Sequence, residues 1–187
     1  MSEMIRSFVA FDINNPSVLQ KFKEAQGLLI RTGADLRLVM PENIHITLRF
    51  LGDIPASMVD QIHEGMKIVD FSAFECEVRG LGVFPDLRYA RVVWAGIRKG
   101  SEELKNVANQ LEPHLHKLGF RADPKGFSPH LTLARVKTGR NKTELARSIQ
   151  ELADYDFGIV KADCLLLKKS VLTPKGPIYS ILREVCH

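Results

Sequence analysis

The chain has 187 residues, of which 45% are hydrophobic and 26% charged, proportions that indicate a folded globular protein and exclude a disordered one. This length fits one domain of ordinary size or two small lobes, large enough to form a core without disulfides or structural metals. The formal net charge of +4 permits a phosphorylated or polyanionic partner but falls short of the basic character of many dedicated nucleic-acid-binding domains.

The sequence carries no feature that directs it to a membrane or out of the cell. No apolar run approaches the length of a membrane span, and the amino-terminal stretch lacks the basic and apolar regions of a signal peptide. Cysteine is sparse, odd in number and without a CxxC pair: Cys76, Cys164 and Cys186. We therefore expect a cytoplasmic, monomeric protein with reduced cysteines and no zinc site.

The hydrophobic periodicity predicts short strands that alternate with helices. In the first half of the chain we predict a strand, a helix, a strand, a helix and a strand: 5–13, 16–33, 44–51, 56–70 and 73–84. The second half is predicted to run in the same order with one further strand: 91–97, 101–119, 128–137, 142–154, 156–172 and 178–185. This arrangement indicates an α+β fold with the helices outside the sheets.

Landmarks in the two halves indicate an internal repeat. The segments FVAFDI and VVWAGI begin 84 residues apart, and His45 and His130 are 85 apart. A repeat of this length is too long for a solenoid and suits a pseudo-twofold pair of lobes. We therefore predict one bilobal domain over 1–187, with repeat halves of approximately 5–88 and 89–187. Its two antiparallel-rich sheets, with outer helices, would face a central cleft.

A His-x-Thr motif occurs once in each half, within PENIHITLRFLGD and GFSPHLTLARVK. Side chains alternate between the faces of a strand, so His45, Thr47 and Arg49 are predicted to share one face, as are His130 and Thr132. The residues predicted to face the core are Ile44, Ile46, Leu48 and Phe50 in the first motif and Leu131 and Leu133 in the second. If the two strands face each other across a cleft, both imidazoles and both hydroxyls converge.

Two imidazoles and two hydroxyls can cleave a phosphate ester without a metal. A neutral histidine can deprotonate an attacking water while a protonated one donates to the leaving oxygen. Threonine hydroxyls can donate hydrogen bonds to phosphoryl oxygens. A single His-x-Thr on a strand is more often structural, but its recurrence at equivalent positions of a repeat favours catalysis. The residues alone leave open which histidine is the acid.

The motifs and their flanks resemble the 2H phosphoesterases, and within them the RNA 2′,3′-cyclic phosphodiesterases once described as 2′-5′ RNA ligases. The similarity extends over nearly the whole chain and includes RSFVAFDI, ENIHITLRFLGDI, RVVWAGI, FSPHLTLARVK and KSVLTPKGPIYSIL. It implies a bilobal α+β fold and hydrolysis of an RNA 2′,3′-cyclic phosphate end to a 2′-phosphate, with no metal or cofactor.

The resemblance also implies roles for individual residues. His45 would be the proton donor to the departing 3′ oxygen, and His130 the proton acceptor that activates water. Thr47 and Thr132 would bind the phosphate, and so would Arg135. Strict alternation places Arg135 on the face opposite to His130, so its role requires a bulge or the end of the strand. On geometry, Arg49 is the rival of Arg135.

Other functions remain open at this stage. The same architecture could perform ATP-independent, reversible 2′-5′ RNA joining or hydrolyse a small cyclic nucleotide, and a non-catalytic module that binds RNA ends is a third hypothesis. The absence of GxxxxGK[ST] argues against an ATP-dependent ligase, and the absence of acidic clusters and HExxH argues against a two-metal enzyme. The basic run ARVKTGRNK is a candidate for guiding RNA by charge.

Overall fold

The computed structural model describes residues 3–187 and confirms the predicted alternation of strands and helices. The strands are β1 (Met4–Asp12), β2 (Leu36–Leu38), β3 (His45–Pro55), β4 (Phe74–Phe84), β5 (Val92–Ile97), β6 (His130–Val136), β7 (Asp156–Ala162), β8 (Cys164–Thr173) and β9 (Gly176–Cys186). The helices are α1 (Pro16–Arg31), α2 (Val59–Lys67), α3 (Ser101–Lys117) and α4 (Lys142–Glu151), and short 3₁₀ turns cover Pro41–Asn43 and Ala56–Met58. The periodicity missed β2, and the predicted strand 156–172 is two strands.

The nine strands form one antiparallel sheet in the order β7-β4-β5-β6-β3-β1-β8-β9, with β2 paired to β6. The α+β class is confirmed. The two sheets that we expected are joined edge to edge, because β3 and β6 pair through Ile46 and Leu131. This junction brings the two His-x-Thr strands side by side at the centre of the sheet.

The strand order is symmetric about the β3–β6 junction, and the two halves of the sequence exchange strands across it. β4 belongs to the first predicted half, 5–88, but pairs with β5 of the second half. β8 belongs to the second half, 89–187, but pairs with β1 of the first. The division into two repeat halves stays a prediction, and residues 1 and 2 of the predicted domain lie outside the described residues.

All four helices cover one face of the sheet. α1 and α4 pack beside strands on the β6 side, and α2 and α3 pack beside β3 and β9. The core between them includes Phe22 and Leu29 of α1 together with Ile46 and Leu131 of the junction strands, all at most 1% exposed. Since side chains alternate along a strand, the histidines before Ile46 and Leu131 point to the opposite, helix-free face.

Equivalent β-bulges interrupt β3 and β6 three residues after each histidine. Val9 pairs with Arg49 and Ala10 with Thr47, so Leu48 is the extra residue of β3. In the same way Val93 pairs with Ala134 and Trp94 with Thr132, so Leu133 is the extra residue of β6. A bulge shifts the alternation by one residue. The fifth residue after each histidine therefore returns to the histidine face.

The bulge in β6 is held by a buried glutamine of α1. The Gln26 side chain is 4% exposed, and its Nε2 donates to the carbonyl oxygens of Leu133 at 2.9 Å and Val39 at 2.8 Å. The backbone N–H of Val39 also donates to the Leu133 oxygen, at 2.9 Å. The carbonyl of the extra residue thus has two donors, which satisfy its buried oxygen.

The expectation that all cysteines are reduced is wrong for two of them. Cys164 and Cys186 form a disulfide, and Cys76 is buried and free. The two bridged residues are 22 apart in the sequence, but they are direct cross-strand partners in the β8–β9 hairpin. Their spacing concealed this pairing because the hairpin was not identified as one.

Within residues 3–187, no helix has the length and apolar character needed to cross a membrane.

We predict that Gln26→Met lowers the free energy of unfolding by about 1–3 kcal/mol, because the carbonyls of Val39 and Leu133 lose a buried donor. Urea denaturation followed by circular dichroism measures the change. Gln20→Met is the matched control, since Gln20 lies exposed on the same helix and should change stability by less than about 0.5 kcal/mol. Equal losses in both variants would show that the glutamine does not support the bulge.

Candidate active site

A cavity of about 480 Å³ lies on the helix-free face of the sheet, above the β3–β6 junction. It contains all five residues that the motifs and the resemblance singled out: His45, Thr47, His130, Thr132 and Arg135. The other lining residues are Arg6, Phe8, Arg37, Leu38, Val39, Met40, Asn43, Phe50, Leu172, Lys175, Gly176, Pro177 and Tyr179. The central pairing of the two motif strands explains why residues 85 apart in the sequence meet here.

Both imidazoles are oriented by the carbonyl oxygen two residues before them. His45 Nδ1 lies 2.7 Å from the Asn43 oxygen, and His130 Nδ1 lies 2.6 Å from the Ser128 oxygen. A carbonyl oxygen can only accept, so each Nδ1 carries a hydrogen and donates it. The neutral tautomer therefore leaves Nε2 without a proton in both rings. Each Nε2 can accept a proton or, once protonated, donate one.

The surroundings of His45 favour its neutral form. Its ring packs against Phe8 and Tyr179, with centroids 4.8 Å and 5.3 Å away, and Nε2 accepts a hydrogen bond from the Thr47 hydroxyl at 2.7 Å. The pKa of His45 is lowered to about 4, chiefly by burial and to a smaller extent by the nearby positive charge of Lys168. The Asn43 carbonyl and the Asp12 carboxylate act in the opposite direction, and His130 contributes a weaker lowering.

His130 is also held in an environment that opposes its charge. The Phe84 ring meets it edge-on at 5.0 Å, and Trp94 lies 6.4 Å away. Burial lowers the pKa of His130, Arg135 adds to this effect, and the hydrogen bond to the Ser128 carbonyl counteracts it. Both histidines are therefore mostly neutral at pH 7 in the free protein. Trp94 itself is half-buried.

A buried ion pair beside His45 was not predicted from the sequence. Lys168 Nζ lies 2.6 Å and 2.8 Å from the two carboxylate oxygens of Asp12, and the Lys168 side chain is 5% exposed. Asp12 is the direct cross-strand partner of His45, and Lys168 Nζ lies 5.6 Å from the Tyr179 ring. The sequence did contain a signal for this pair, because Lys168 directly follows the apolar run CLLL. Lysine is seldom buried without a partner.

The cavity has a positive rim. Arg6, Arg37, Arg135 and Lys175 line it, and none of its described lining residues is acidic. Arg37 and Arg135 are cross-strand partners in the β2–β6 pair, and the Arg6 guanidinium lies 4.6 Å from the centre of the Phe50 ring. Four cations around two hydroxyls and two imidazoles suit an anionic ligand of the size of a phosphate ester.

Comparison with known proteins also indicates a protein that acts on phosphate esters. The family model described as the AKAP7 2'5' RNA ligase-like domain matches residues 7–186. The chain belongs to the 2H phosphoesterase family. An RNA 2′,3′-cyclic phosphodiesterase of Aeropyrum pernix is 40% identical over 157 residues, which are 84% of this chain and 89% of that protein. One of Archaeoglobus fulgidus is 39% identical over 183 residues, with coverage of 96% and 98%.

The fold agrees with this assignment. A protein of Thermus thermophilus, solved by crystallography, superposes on this 2H phosphoesterase with a TM-score of 0.79 and 26% identity over 97% of both chains. The resemblance that the two motifs suggested is thereby confirmed at the level of the family and of the fold.

Two predictions about the first motif strand of this 2H phosphoesterase are wrong, and the bulge at Leu48 is the reason. Phe50 was placed in the core but is 46% exposed and lines the cavity. Arg49 was placed on the histidine face but points away from it. It pairs with Glu112 at 2.8 Å and Asp123 at 3.9 Å, and it donates to the Arg121 carbonyl. Arg49 is thus an anchor to α3 and the loop after it.

The matching bulge in β6 resolves the difficulty with Arg135. This residue is the fifth after His130, and the extra residue Leu133 returns it to the cavity face. The position equivalent to Arg135 in the other motif is Phe50, the fifth residue after His45. The phosphoesterase cleft therefore has a cationic side next to His130 and an aromatic side next to His45, although the two motifs look alike.

The different positions of Arg49 and Arg135 predict opposite effects of the same substitution. Arg49→Gln should lower the free energy of unfolding by about 1–3 kcal/mol, because it leaves Glu112 without its partner, and should leave inorganic phosphate binding unchanged. Arg135→Gln should weaken phosphate binding by about tenfold or more and leave stability within about 0.5 kcal/mol. Urea denaturation and calorimetric titration measure the two quantities. Weaker phosphate binding by Arg49→Gln would instead show that Arg49 takes part in the phosphate site.

Proposed function

We propose that this protein is an RNA 2′,3′-cyclic phosphodiesterase that converts a terminal 2′,3′-cyclic phosphate into a 2′-phosphate. The observation that carries the proposal is the convergence of two imidazoles, each with Nδ1 fixed by a carbonyl and Nε2 available, in one cationic cavity. Relatives at 39–40% identity carry the same activity in their names. The side chains of the cavity supply an acid, a base and phosphate ligands, so the proposed reaction uses no metal or cofactor.

In the proposed reaction a water oxygen attacks the phosphorus and the bond between phosphorus and O3′ breaks. Nε2 of His130 accepts the proton that water loses, and protonated Nε2 of His45 donates a proton to O3′. Thr47 and Thr132 donate hydrogen bonds to the non-bridging oxygens, and Arg135 stabilises the charge that develops on them. The product has a 3′ hydroxyl and a 2′-phosphate.

The acid role of His45 requires that its pKa rises when the substrate binds. In the free protein this pKa is about 4, so the imidazole is neutral at pH 7. A bound phosphodiester carries a negative charge, and an opposite charge within a few ångströms favours the imidazolium. The Asp12 carboxylate acts in the same direction. We infer that the substrate anion itself completes the acid–base pair by drawing a proton onto His45.

The alternatives make different predictions. Reversible 2′-5′ joining would use the same histidines and would be detected as ligation of RNA ends without ATP. A preference for small cyclic nucleotides would appear as faster turnover of a mononucleotide than of a longer RNA. A binding module would bind RNA ends with no turnover at all. We retain an RNA with a 2′,3′-cyclic phosphate end as the partner, and a cytoplasmic monomer as the form of the protein.

We expect wild-type protein to hydrolyse a short RNA ending in a 2′,3′-cyclic phosphate in the presence of EDTA and to yield the 2′-phosphate. His45→Ala and His130→Ala should each lower kcat/KM by about 10²–10⁴, because each removes a proton-transfer group. Chromatography of the products measures the rate and the regiochemistry. His116→Ala, an exposed histidine of α3, is the matched control and should keep full activity. Tight binding without turnover by the wild type would favour the binding module.

A substrate with a better leaving group separates the roles of the histidines. In a nucleoside 3′-phosphodiester of 4-nitrophenol, the leaving oxygen needs no proton. The variant that lacks the acid should therefore keep its activity on this substrate, and the variant that lacks the base should not. We expect His45→Ala to be rescued relative to His130→Ala. Rescue of His130→Ala alone would reverse the assignment that the resemblance implies.

The Asp12–Lys168 pair predicts pKa shifts of opposite sign at His45. In Asp12→Asn the unpaired Lys168 cation should lower the pKa of His45 below its wild-type value, because a positive charge disfavours the imidazolium. In Lys168→Met the unpaired Asp12 carboxylate should raise that pKa by roughly one unit or more. Titration of the imidazole resonances by NMR measures both.

The double variant Asp12→Asn/Lys168→Met controls for the packing change, because it removes both charges and should lie between the single variants. Asp12→Asn leaves the buried Lys168 cation unpaired and should lower the free energy of unfolding by roughly 3–5 kcal/mol. Lys168→Met should lower it by less, because the Asp12 side chain that it leaves unpaired is 26% exposed. Shifts of the same sign in both single variants would mean that rearrangement, and not charge, sets the pKa of His45.

A further inference from the structure

A second cavity, of about 370 Å³, lies beside the first residues of β5 and the last residues of β6. It is separate from the active cleft and lies on the other side of this end of the sheet. Its walls are the loop between β4 and β5, the segment that follows β6, and the first turns of α4. The buried side chains of Leu145 and Ile149 contribute to its apolar base. The cations on its walls are Arg88, Arg91, Lys137 and Lys142. We call this cavity the basic groove.

Most of the charge in the basic groove is not neutralised within the described chain. Among residues 3–187, the only acidic partner within 4.0 Å of a groove cation is Asp35, which lies 3.9 Å from Lys137. Two other arginines differ in this respect, since Arg79 of β4 pairs with three carboxylates and Arg98, directly after β5, pairs with one. All four groove cations are exposed, and no described lining residue is acidic.

An aromatic side chain projects from the same loop. Tyr89 lines the groove and is 70% exposed, the highest exposure among the large hydrophobic side chains of the described chain. Its loop is ordered by Asp86, whose Oδ1 accepts from the backbone N–H of Arg88 at 2.8 Å and of Tyr89 at 3.1 Å. The Arg91 N–H donates to the Phe84 oxygen at 2.8 Å. The backbone that carries the exposed ring is therefore fixed, and an exposed ring at this position suits base stacking.

The basic groove adjoins the active cleft at the end of β6, although the two cavities share no lining residue. Arg135 lines the cleft and Val136, the next residue, lines the groove. The Val136 N–H donates to the Arg91 oxygen at 2.9 Å, which ties the groove loop to the end of β6. An extended ligand bound at Arg135 would therefore pass around the end of β6 to reach Arg91 and Lys137.

We propose that the basic groove binds the sugar–phosphate backbone of the RNA upstream of the cyclic end, with a base stacked on Tyr89. This inference rests on the proposed function, because it takes the terminal nucleotide to occupy the active cleft. Unpaired cations beside an exposed aromatic ring are the combination that binds single-stranded nucleic acid without reading its sequence. The groove thus makes the protein an enzyme of RNA strands in preference to cyclic mononucleotides.

The test compares two substrates with the same reactive end, a dinucleotide 2′,3′-cyclic phosphate and an RNA of about 12 nucleotides. In the triple variant Arg88→Gln/Arg91→Gln/Lys142→Gln, we expect KM for the long RNA to rise about tenfold or more at low salt. The slope of log KM against log salt concentration should fall by about two, since three phosphate contacts are lost. Values of kcat/KM for the dinucleotide should stay within twofold of the wild type.

A matched variant controls for the change in net charge. Lys99→Gln/Lys105→Gln/Lys117→Gln removes three positive charges at and around α3, which packs beside α2 and β3 and not beside the groove. It should leave KM for both substrates near the wild-type value. Tyr89→Ala should raise KM for the long RNA by about fivefold or more, and Tyr89→Phe should restore it, because phenylalanine keeps the stacking face.

The outcomes are distinguishable from a failure of the proposed function. If the wild type cleaves neither substrate, the proposed function fails, and the groove proposal fails with it. If the wild type cleaves both and the groove variant changes them equally, or changes neither, the proposed function stands and the groove proposal is overturned. An equal effect of the groove and α3 variants on the long RNA would also overturn it, because general charge attraction would then explain the binding.

Discussion

The pairing of β3 with β6 is the constraint on which the rest of the structure depends. It joins the two sides of the sheet through Ile46 and Leu131, and it fixes the residues before them, His45 and His130, on neighbouring strands. Because a slip of one residue would turn every side chain to the other face, this register is also the register of the active site. The buried leucine and isoleucine therefore position the two imidazoles as directly as any hydrogen bond does.

The two bulges decide which third side chain joins each histidine and threonine in the cleft. Each histidine strand needs its imidazole, its hydroxyl and a third side chain on one face, and strict alternation would give that third place to Arg49 and Ala134. The extra residues give it to Phe50 and Arg135. Since the backbone is the same on both sides, the difference between an aromatic and a cation is what distinguishes one side of the cleft from the other. A symmetric fold thus offers an asymmetric site to an asymmetric substrate.

Much of the fold and most of the proposed catalytic set could be predicted, because they depend on local patterns. Hydrophobic periodicity located the helices, and the recurring His-x-Thr located both imidazoles and both hydroxyls. The bulges were beyond that reasoning, since Leu48 and Leu133 look like ordinary strand leucines and become extra residues only against their partner strands. The same holds for the ion pair of Asp12 and Lys168, whose members are 156 residues apart and meet through the β1–β8 pairing.

The exchange of strands between the two halves has a consequence for how the chain folds. β1 is flanked by β3 and β8, so its second partner is a strand more than 150 residues further along the chain. Contacts so distant in sequence raise the contact order, and proteins of high contact order fold slowly. During synthesis, β1 and β3 must wait as an incomplete sheet until β8 leaves the ribosome. A fragment that ends before β8 would expose the edge of β1 to association with other chains.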